Sequence, residues 1–321
     1  MGKPALIYYR LLNWRPENLR LAAEAFDLVE LDSPAEDSDR LLARAAACCA
    51  PLGFDFDAAK MDRCPSLRAI VSNTTGVPHI DMAAAAARDV AVFSLKDEQA
   101  FLDTITPTAE HAWGLLLALM RRTPWCFDAV KAGTWNRFEW GAPGMLSRMN
   151  LGIVGCGRLG RQVARYGAAF GMPVRFFDPH VTADDVAEKA ETLLELVAWA
   201  DVVSLHVPAR TETRGLIDAE VIARFKPGSL LINTARAELV DEAALLVALR
   251  NGDVGGYATD VLGGEFDPAF RAGEHPLVSH AQAHDNVLLT PHIGGSTVDA
   301  WRETQARVIA MAIDHFKDGT S

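Results

Sequence analysis

Short apolar runs alternate along the chain with amphipathic, helix-favouring stretches. In the first hundred residues the runs fall at 5–9, 45–50, 67–72 and 90–95, with helical patterns between them at 55–63 and 81–88. Such alternation predicts a parallel sheet covered on both faces. The run at 45–50 is rich in Ala, whose helix preference works against a strand there. From Leu151 the pattern restarts. Strands are predicted at 151–155, 173–178, 201–207, 229–235, 255–261 and 286–291, and helices at 158–170, 192–200, 218–224 and 241–250. Six strands with short connections match a doubly wound sheet, so the chain reads as α/β with two parallel-sheet domains.

Residues 108–133 lie between the two sets, with helical periodicity at His111, Leu115, Leu116 and Leu119. They are long enough to join two domains, and Pro124 should kink the helix or end its main body. The last helical pattern, 298–316, has little left to pack on beyond the second sheet. It is expected to return to the first domain, giving two crossings at about 103 and 296. The expected layout is a discontinuous domain, 1–103 with 296–321, and an inserted domain, 104–295. Two crossings make a hinge, and the cleft beneath it is the default ligand site.

One run carries more information than any other. LGIVGCGRLG at 151–160 is G-x-G-x-x-G between a predicted strand and a predicted helix. Asp178 closes the next apolar run, at about the twenty-residue spacing of a dinucleotide-binding fingerprint. Gly155 permits the tight turn, Gly157 lets a pyrophosphate approach the backbone, and Gly160 lets the helix pack close to the strand. The helix N-terminus offers N–H groups and a partial positive charge to phosphates.

Composition narrows the partners. A net charge of −11 over 321 residues argues against nucleic-acid binding. The longest apolar stretch, 112–120, is far short of the ~20 residues of a membrane span. No signal-peptide pattern opens the chain. The five cysteines include no C-x-x-C pair, which suggests reduced thiols and no metal site. A cytoplasmic protein without a membrane partner is expected.

Three later segments each set a reactive side chain at or just beyond a predicted strand end, where ligands of open α/β sheets bind. Arg236 follows Asn233-Thr-Ala and offers a planar cationic fork suited to a carboxylate. Glu265 follows Asp260-Val-Leu-Gly-Gly, and His292 follows Thr290-Pro in a Gly-flanked turn. Taken singly, each has an ordinary alternative: a surface Arg, a solvated loop carboxylate, a structural imidazole. Together they close a reaction. Hydride addition to a ketone builds charge on oxygen, which an imidazolium can protonate. A carboxylate on the other ring nitrogen fixes the tautomer and favours the protonated ring. An Arg holds a substrate carboxylate beside the reacting carbon.

On these residues the chain resembles the NAD-dependent D-isomer-specific 2-hydroxyacid dehydrogenases, a family that includes phosphoglycerate, glycerate, lactate and formate dehydrogenases. Matching stretches run through 151–164, 201–208, 213–217, 231–241, 260–265 and 290–297. The resemblance implies a Rossmann NAD-binding domain inserted in a flavodoxin-like substrate domain. It implies Arg236, Glu265 and His292 as the catalytic set. It also implies a backbone turn at 73–77 whose Thr75 and Gly76 amides, with Arg236, hold the substrate carboxylate. The NAD contacts it implies are Gly155, Gly157, Arg158, Leu159, Gly160, Asp178, His206, Val207, Thr234 and Gly294, with Thr108, Ala235 and Asp260 at the nicotinamide. Pro208 and Thr213 would lie nearer the pyrophosphate and adenosine. A homodimer built through the cofactor domain and the 108–133 helix is implied too, and Trp135 and Trp140 either reach a neighbouring subunit's pocket, as an aromatic there does in some relatives, or serve as ordinary interface packing.

Three departures matter. After Asp260-Val the family usually has an aromatic residue and, near Glu265, a second acid; here Gly263 and Gly264 leave the order of that loop in question. Pro51-Leu52-Gly53 stands where phosphoglycerate dehydrogenases place an Arg, which argues against a phosphorylated substrate. The chain ends soon after Phe316, so no regulatory domain is expected. Asp178, followed by Pro179 and His180 rather than an Arg, favours NAD over NADP. The expected activity is hydride exchange between NAD(H) and a small (R)-2-hydroxy acid or its 2-oxo acid. Alternatives are an NAD-sensing, corepressor-like binding protein and a phosphite-type dehydrogenase. Glu265 argues against formate, because formate enzymes of the family carry Gln there.

Overall fold

The computed structural model describes residues 2–318. The chain divides into two compact units, Met1–Ile105 with Ser296–Ser321, and Thr106–Gly295. The first crossing falls just beyond the expected 103, because the short helix Gln99–Leu102 packs Leu102 into the first unit's core.

The first unit holds five parallel strands: β1 (Ala5–Tyr9), β2 (Asp27–Leu31), β3 (Ala45–Cys49), β4 (Ala69–Val71) and β5 (Ala91–Phe93). Their order is β2-β1-β3-β4-β5, the flavodoxin-like arrangement. β3 forms despite its alanines, because burial between β1 and β4 outweighs local propensity. β2 is an addition to the expected set. Its run Asp-Leu-Val-Glu-Leu pairs on one side only, which a mixed polar and apolar edge strand tolerates. The final helix, Val298–Asp318, packs on the helix Pro16–Ala25. Gln305 accepts from the Arg15 amide at 2.8 Å and from Asn18 Nδ2 at 3.0 Å. Val308, Ile309, Ala312 and Phe316 join the first unit's core beside β4 and β5, and Phe316 meets Phe26 edge-on at 5.2 Å.

The second unit holds β6 (Leu151–Val154), β7 (Val174–Phe177), β8 (Glu188–Lys189), β9 (Val202–Leu205), β10 (Ser229–Asn233), β11 (Val254–Thr259) and β12 (Val287–Leu289). The order is β12-β11-β10-β9-β6-β7-β8, all parallel. This is a Rossmann-type sheet whose direction of growth reverses between β6 and β9. Seven strands replace the six expected, because β8 is a two-residue edge with too little sequence to show periodicity. The single helix expected over 108–133 is two, Pro107–Met120 and Thr123–Lys131. They separate at Arg122, which is left-handed at φ 51°. Pro124 has no N–H to continue the first helix and sits instead in the first turn of the second. Among the described residues no helix is long and apolar enough to cross a membrane.

Candidate active site

The functional side chains of the second unit stand at the carboxyl ends of its strands. β6 leads into Gly155, whose φ of +89° is left-handed. A Cβ there would lie 2.5 Å from Val207 Cγ1 and 2.7 Å from the His206 carbonyl oxygen. A Cβ on Gly160 would stand 2.0 Å from the Gly155 carbonyl oxygen, so the helix Arg158–Ala169 can approach β6 only with glycine at that point. At Gly157 a Cβ would meet nothing within 4 Å. The turn therefore leaves an open cradle before the positive end of a twelve-residue helix.

Asp178, at the end of β7, is fixed against this turn. Its Oδ2 accepts from the Cys156 amide at 2.9 Å, and its Oδ1 from His180 N and Val181 N at 2.8 and 3.2 Å. His206, beyond β9, lies 2.9 Å through Nε2 from Ser204 Oγ. Burial pushes this imidazole down to about 4, so it is neutral near pH 7. The Thr213 hydroxyl closes its own turn, donating to the Pro208 carbonyl at 2.7 Å and accepting from the Arg210 amide at 2.8 Å. Thr234, just past β10, buries Oγ1 with no hydrogen-bond partner among the described residues. An orphaned hydroxyl and an open glycine cradle at the strand ends are what a dinucleotide needs from this surface.

Arg236 leaves β10 through a turn held by Asn233. The fully buried Asn233 accepts from the Ala235 amide at 3.0 Å and donates through Nδ2 to the Arg236 carbonyl at 2.9 Å. The half-buried guanidinium donates one bond to the Ala235 carbonyl at 2.6 Å.

His292 sits at φ 55°, a left-handed conformation that non-glycine residues seldom adopt. Asp260 holds the turn in that shape. Asp260 Oδ1 accepts from Thr290 Oγ1 at 2.5 Å and Ile293 N at 2.9 Å, and Oδ2 accepts from Gly294 N at 2.7 Å. His111 Nε2 lies 2.8 Å from Thr290 Oγ1 and 3.3 Å from Asp260 Oδ1. Burial alone would raise the Asp260 pKa, yet hydrogen bonds from His111, Thr290, Gly294 and Ile293 leave it below the ordinary carboxylate range. Gly294 is buried between Asp260 and His111, and Thr108 stands beside Gly295 on the same helix as His111.

With the turn fixed, His292 Nδ1 lies 3.0 Å from Glu265 Oε1. A carboxylate only accepts, so the bond's proton is on Nδ1. Nε2 has no protein partner among the described residues. The Phe266 ring flanks the imidazole at 5.5 Å between centroids. Glu265 and His292, 27 residues apart in sequence, thus form an imidazole–carboxylate pair in the segments that follow two adjacent strands.

Thr75 and Gly76 belong to the first unit, in the turn beyond β4. Both are exposed, and neither amide donates a hydrogen bond to the described residues. Thr74 Oγ1 shapes the turn by donating to the Gly76 carbonyl at 2.7 Å. Behind it, buried His79 places Nε2 3.1 Å from the Ala50 carbonyl. Burial lowers the His79 pKa, and that carbonyl only partly restores it. The neighbouring 51–54 loop, beyond β3, carries Pro51, Leu52, Gly53 and Phe54, with no cation.

Four residues that complete these arrangements, His111, Thr290, Asn233 and His79, carry no role in the sequence reading. A buried polar residue closing an apolar strand was the available signal for Asn233. His111 stood in plain view one helical turn from Thr108.

Comparison with known proteins decides the family. The model described as D-isomer specific 2-hydroxyacid dehydrogenase, NAD binding domain, matches residues 113–294, more than half of the chain. The chain belongs to the D-isomer specific 2-hydroxyacid dehydrogenase family. The segment matching this family's NAD-binding domain contains the glycine turn, Arg236, Glu265 and His292. D-3-phosphoglycerate dehydrogenase of Bacillus subtilis (strain 168) is 37% identical over 246 residues, 76% of this chain and 44% of that protein. (S)-sulfolactate dehydrogenase of Chromohalobacter salexigens is 35% identical over 292 residues, 88% of each. The structure of D-lactate dehydrogenase from Aquifex aeolicus, complexed with NAD and lactic acid, superposes with a TM-score of 0.80 at 27% identity. It covers 98% of this chain and 96% of that one. The chain spans about half the length of the phosphoglycerate dehydrogenases it matches, 44% of the Bacillus protein and 52% of the Mycobacterium bovis one.

Proposed function

We propose that this chain is an NAD-dependent oxidoreductase that exchanges a hydride between NAD(H) and a small (R)-2-hydroxy acid or its 2-oxo acid. The observation that carries the reading is the His292–Glu265 pair, 3.0 Å apart with Nε2 open, on a domain of this family. Bound NADH supplies the hydride. As charge builds on the substrate's carbonyl oxygen, His292 delivers the Nε2 proton to it, and in the reverse direction takes it back. Glu265 receives the Nδ1 hydrogen bond and so steadies the imidazolium. Arg236 binds the substrate carboxylate; in the first unit the exposed amides of Thr75 and Gly76 are suited to the same kind of group.

The cofactor is held by Gly155, Gly157, Arg158, Leu159 and Gly160 at the pyrophosphate, with His206, Val207, Pro208 and Thr213 lining its path. Thr108, Thr234, Ala235, Asp260 and Gly294 serve the nicotinamide end. Asp178 selects NAD over NADP, since a fixed carboxylate accepts from a ribose hydroxyl and repels a 2′-phosphate. The substrate carries no phosphate, a reading supported by the uncharged 51–54 loop. The first unit, Met1–Ile105 with Ser296–Ser321, acts as the substrate domain, and the second, Thr106–Gly295, as the cofactor domain.

A homodimer is supported by apolar side chains left exposed in and after the helix Thr123–Lys131. Trp135 is 89% and Phe138 79% exposed, with Phe127 and Met145 also open. A cytoplasmic location is supported by five free cysteines, four of them buried.

The test is NADH oxidation with a panel of 2-oxo acids, phosphorylated and not. Turnover of an unphosphorylated acid to the (R) product, reduced by about a hundredfold or more in His292→Ala, is the expected result. Tight NADH binding with no turnover across the panel would overturn the dehydrogenase reading.

A further inference from the structure

The loop that carries Glu265 contains two consecutive glycines, Gly263 and Gly264, with Gly264 at φ +77°. Left alone, such a loop would cost considerable entropy to hold Glu265 against His292. One carboxylate ties it at both ends. Glu242 opens the helix Glu242–Asn251. Its Oε1 accepts the Gly263 amide at 3.2 Å, two residues before Glu265. Its Oε2 lies 3.2 Å from His275 Nε2, at the far end of the loop. His275 Nδ1 accepts the Leu277 amide at 3.3 Å, capping the helix Pro276–Ala281, so the ring carries its proton on Nε2, facing Glu242.

The helix itself does not require this carboxylate. Asp241 already caps it, accepting the Ala244 amide at 2.9 Å. The approach is also tight: a Cβ on Gly263 would stand 2.7 Å from Glu242 Oε2. An alanine at 263 would therefore push the Glu242 carboxylate from its place. Burial raises the Glu242 pKa, while His275 and the Gly263 amide pull it back.

We propose that Glu242, braced by His275, is a positioning residue for the reaction, setting where Glu265 stands against His292. The inference rests on the dehydrogenase reading for its kinetic consequence, and on geometry alone for its effect on the loop. It accounts for how a loop with two consecutive glycines is kept in place.

The experiment compares Glu242→Ala, Glu242→Gln and Gly263→Ala with the unaltered full chain. It measures amide hydrogen exchange across 261–275, NADH dissociation constant, and kcat and KM for the best 2-oxo acid. Glu242→Ala and Gly263→Ala should speed exchange in that segment and lower kcat by about tenfold, with NADH affinity and KM within about twofold. Glu242→Gln keeps an oxygen for the Gly263 amide but turns a donor towards His275, so it should recover part of both. Unchanged exchange in Glu242→Ala overturns the proposal, as does faster exchange with kcat intact. If Glu242→Ala fails to fold, the other two variants decide in the same terms. If the unaltered protein turns over no 2-oxo acid, the dehydrogenase reading fails, and the exchange measurement still decides whether Glu242 holds the loop.

Discussion

Asp260→Asn replaces one oxygen of a buried carboxylate with an amide and leaves the volume almost unchanged. In the native turn both oxygens are used: Thr290 and Ile293 donate to Oδ1, and Gly294 to Oδ2. Asparagine has one acceptor oxygen, so its NH2 must face a backbone N–H whichever way it is turned. One charge-assisted bond is lost, worth about 1.5–3 kcal/mol, and a buried donor is stranded at about 1–3 kcal/mol. His111, 3.3 Å away, also loses its charged neighbour. The second unit should be destabilised by about 3–5 kcal/mol, the range for breaking one side of a buried charged cluster. Urea unfolding followed by tryptophan fluorescence reads it, because five of the seven tryptophans lie in Thr106–Gly295. With a slope near 2–3 kcal/mol/M, the midpoint of that unit should fall by about 1–2 M. The sign with pH is also fixed. The folded carboxyl has a lowered pKa, so its stabilisation is complete above the ordinary carboxylate value of about 4 and is lost as pH falls through the folded value. The gap between wild type and Asp260→Asn should therefore close in acid. A midpoint shift under about 0.3 M at pH 7, or a gap that widens in acid, would refute the account of the turn.

Three further outcomes follow from the same geometry. His292→Gly should be more stable than His292→Ala by about 1 kcal/mol in thermal melts, since only glycine relaxes at φ 55°, while both lose turnover. Equal stability would mean the turn carries no strain. In Gly160→Ala the new Cβ meets a backbone oxygen at 2.0 Å, so helix and strand must part. NADH titration should show affinity lower by tenfold or more, with about 1–3 kcal/mol lost in stability. Asp178→Ala should raise affinity for NADPH relative to NADH by about tenfold, or about 1.4 kcal/mol, in paired fluorescence titrations. An unchanged ratio would remove Asp178 from cofactor selection.

The sequence by itself determined what depends on near neighbours. Strand–helix alternation needs only local periodicity, so ten of the strands were legible, even the alanine-rich β3. The glycine turn was legible because Gly155 and Gly160 answer to backbone only a few residues away or on the next strand. Arg236, Glu265 and His292 could be singled out as candidates because each stands at or beyond a strand end, where an α/β sheet binds its ligands.

What remained hidden joins residues far apart in the chain. Nothing local to Asp260 announces that His111 and Thr290 will meet it; the sheet order β12-β11-β10 and the helix Pro107–Met120 bring them together. Glu242 and His275 lie on either side of a loop whose path periodicity does not encode. β2 was missed because Asp27 and Glu30 break up its apolar run, and β8 because two residues are too few to show a period. Residue type and spacing supplied the reactive groups. Tertiary packing decided which hydrogen bonds hold them in reach of one another, because those partners are chosen by the order of strands in space.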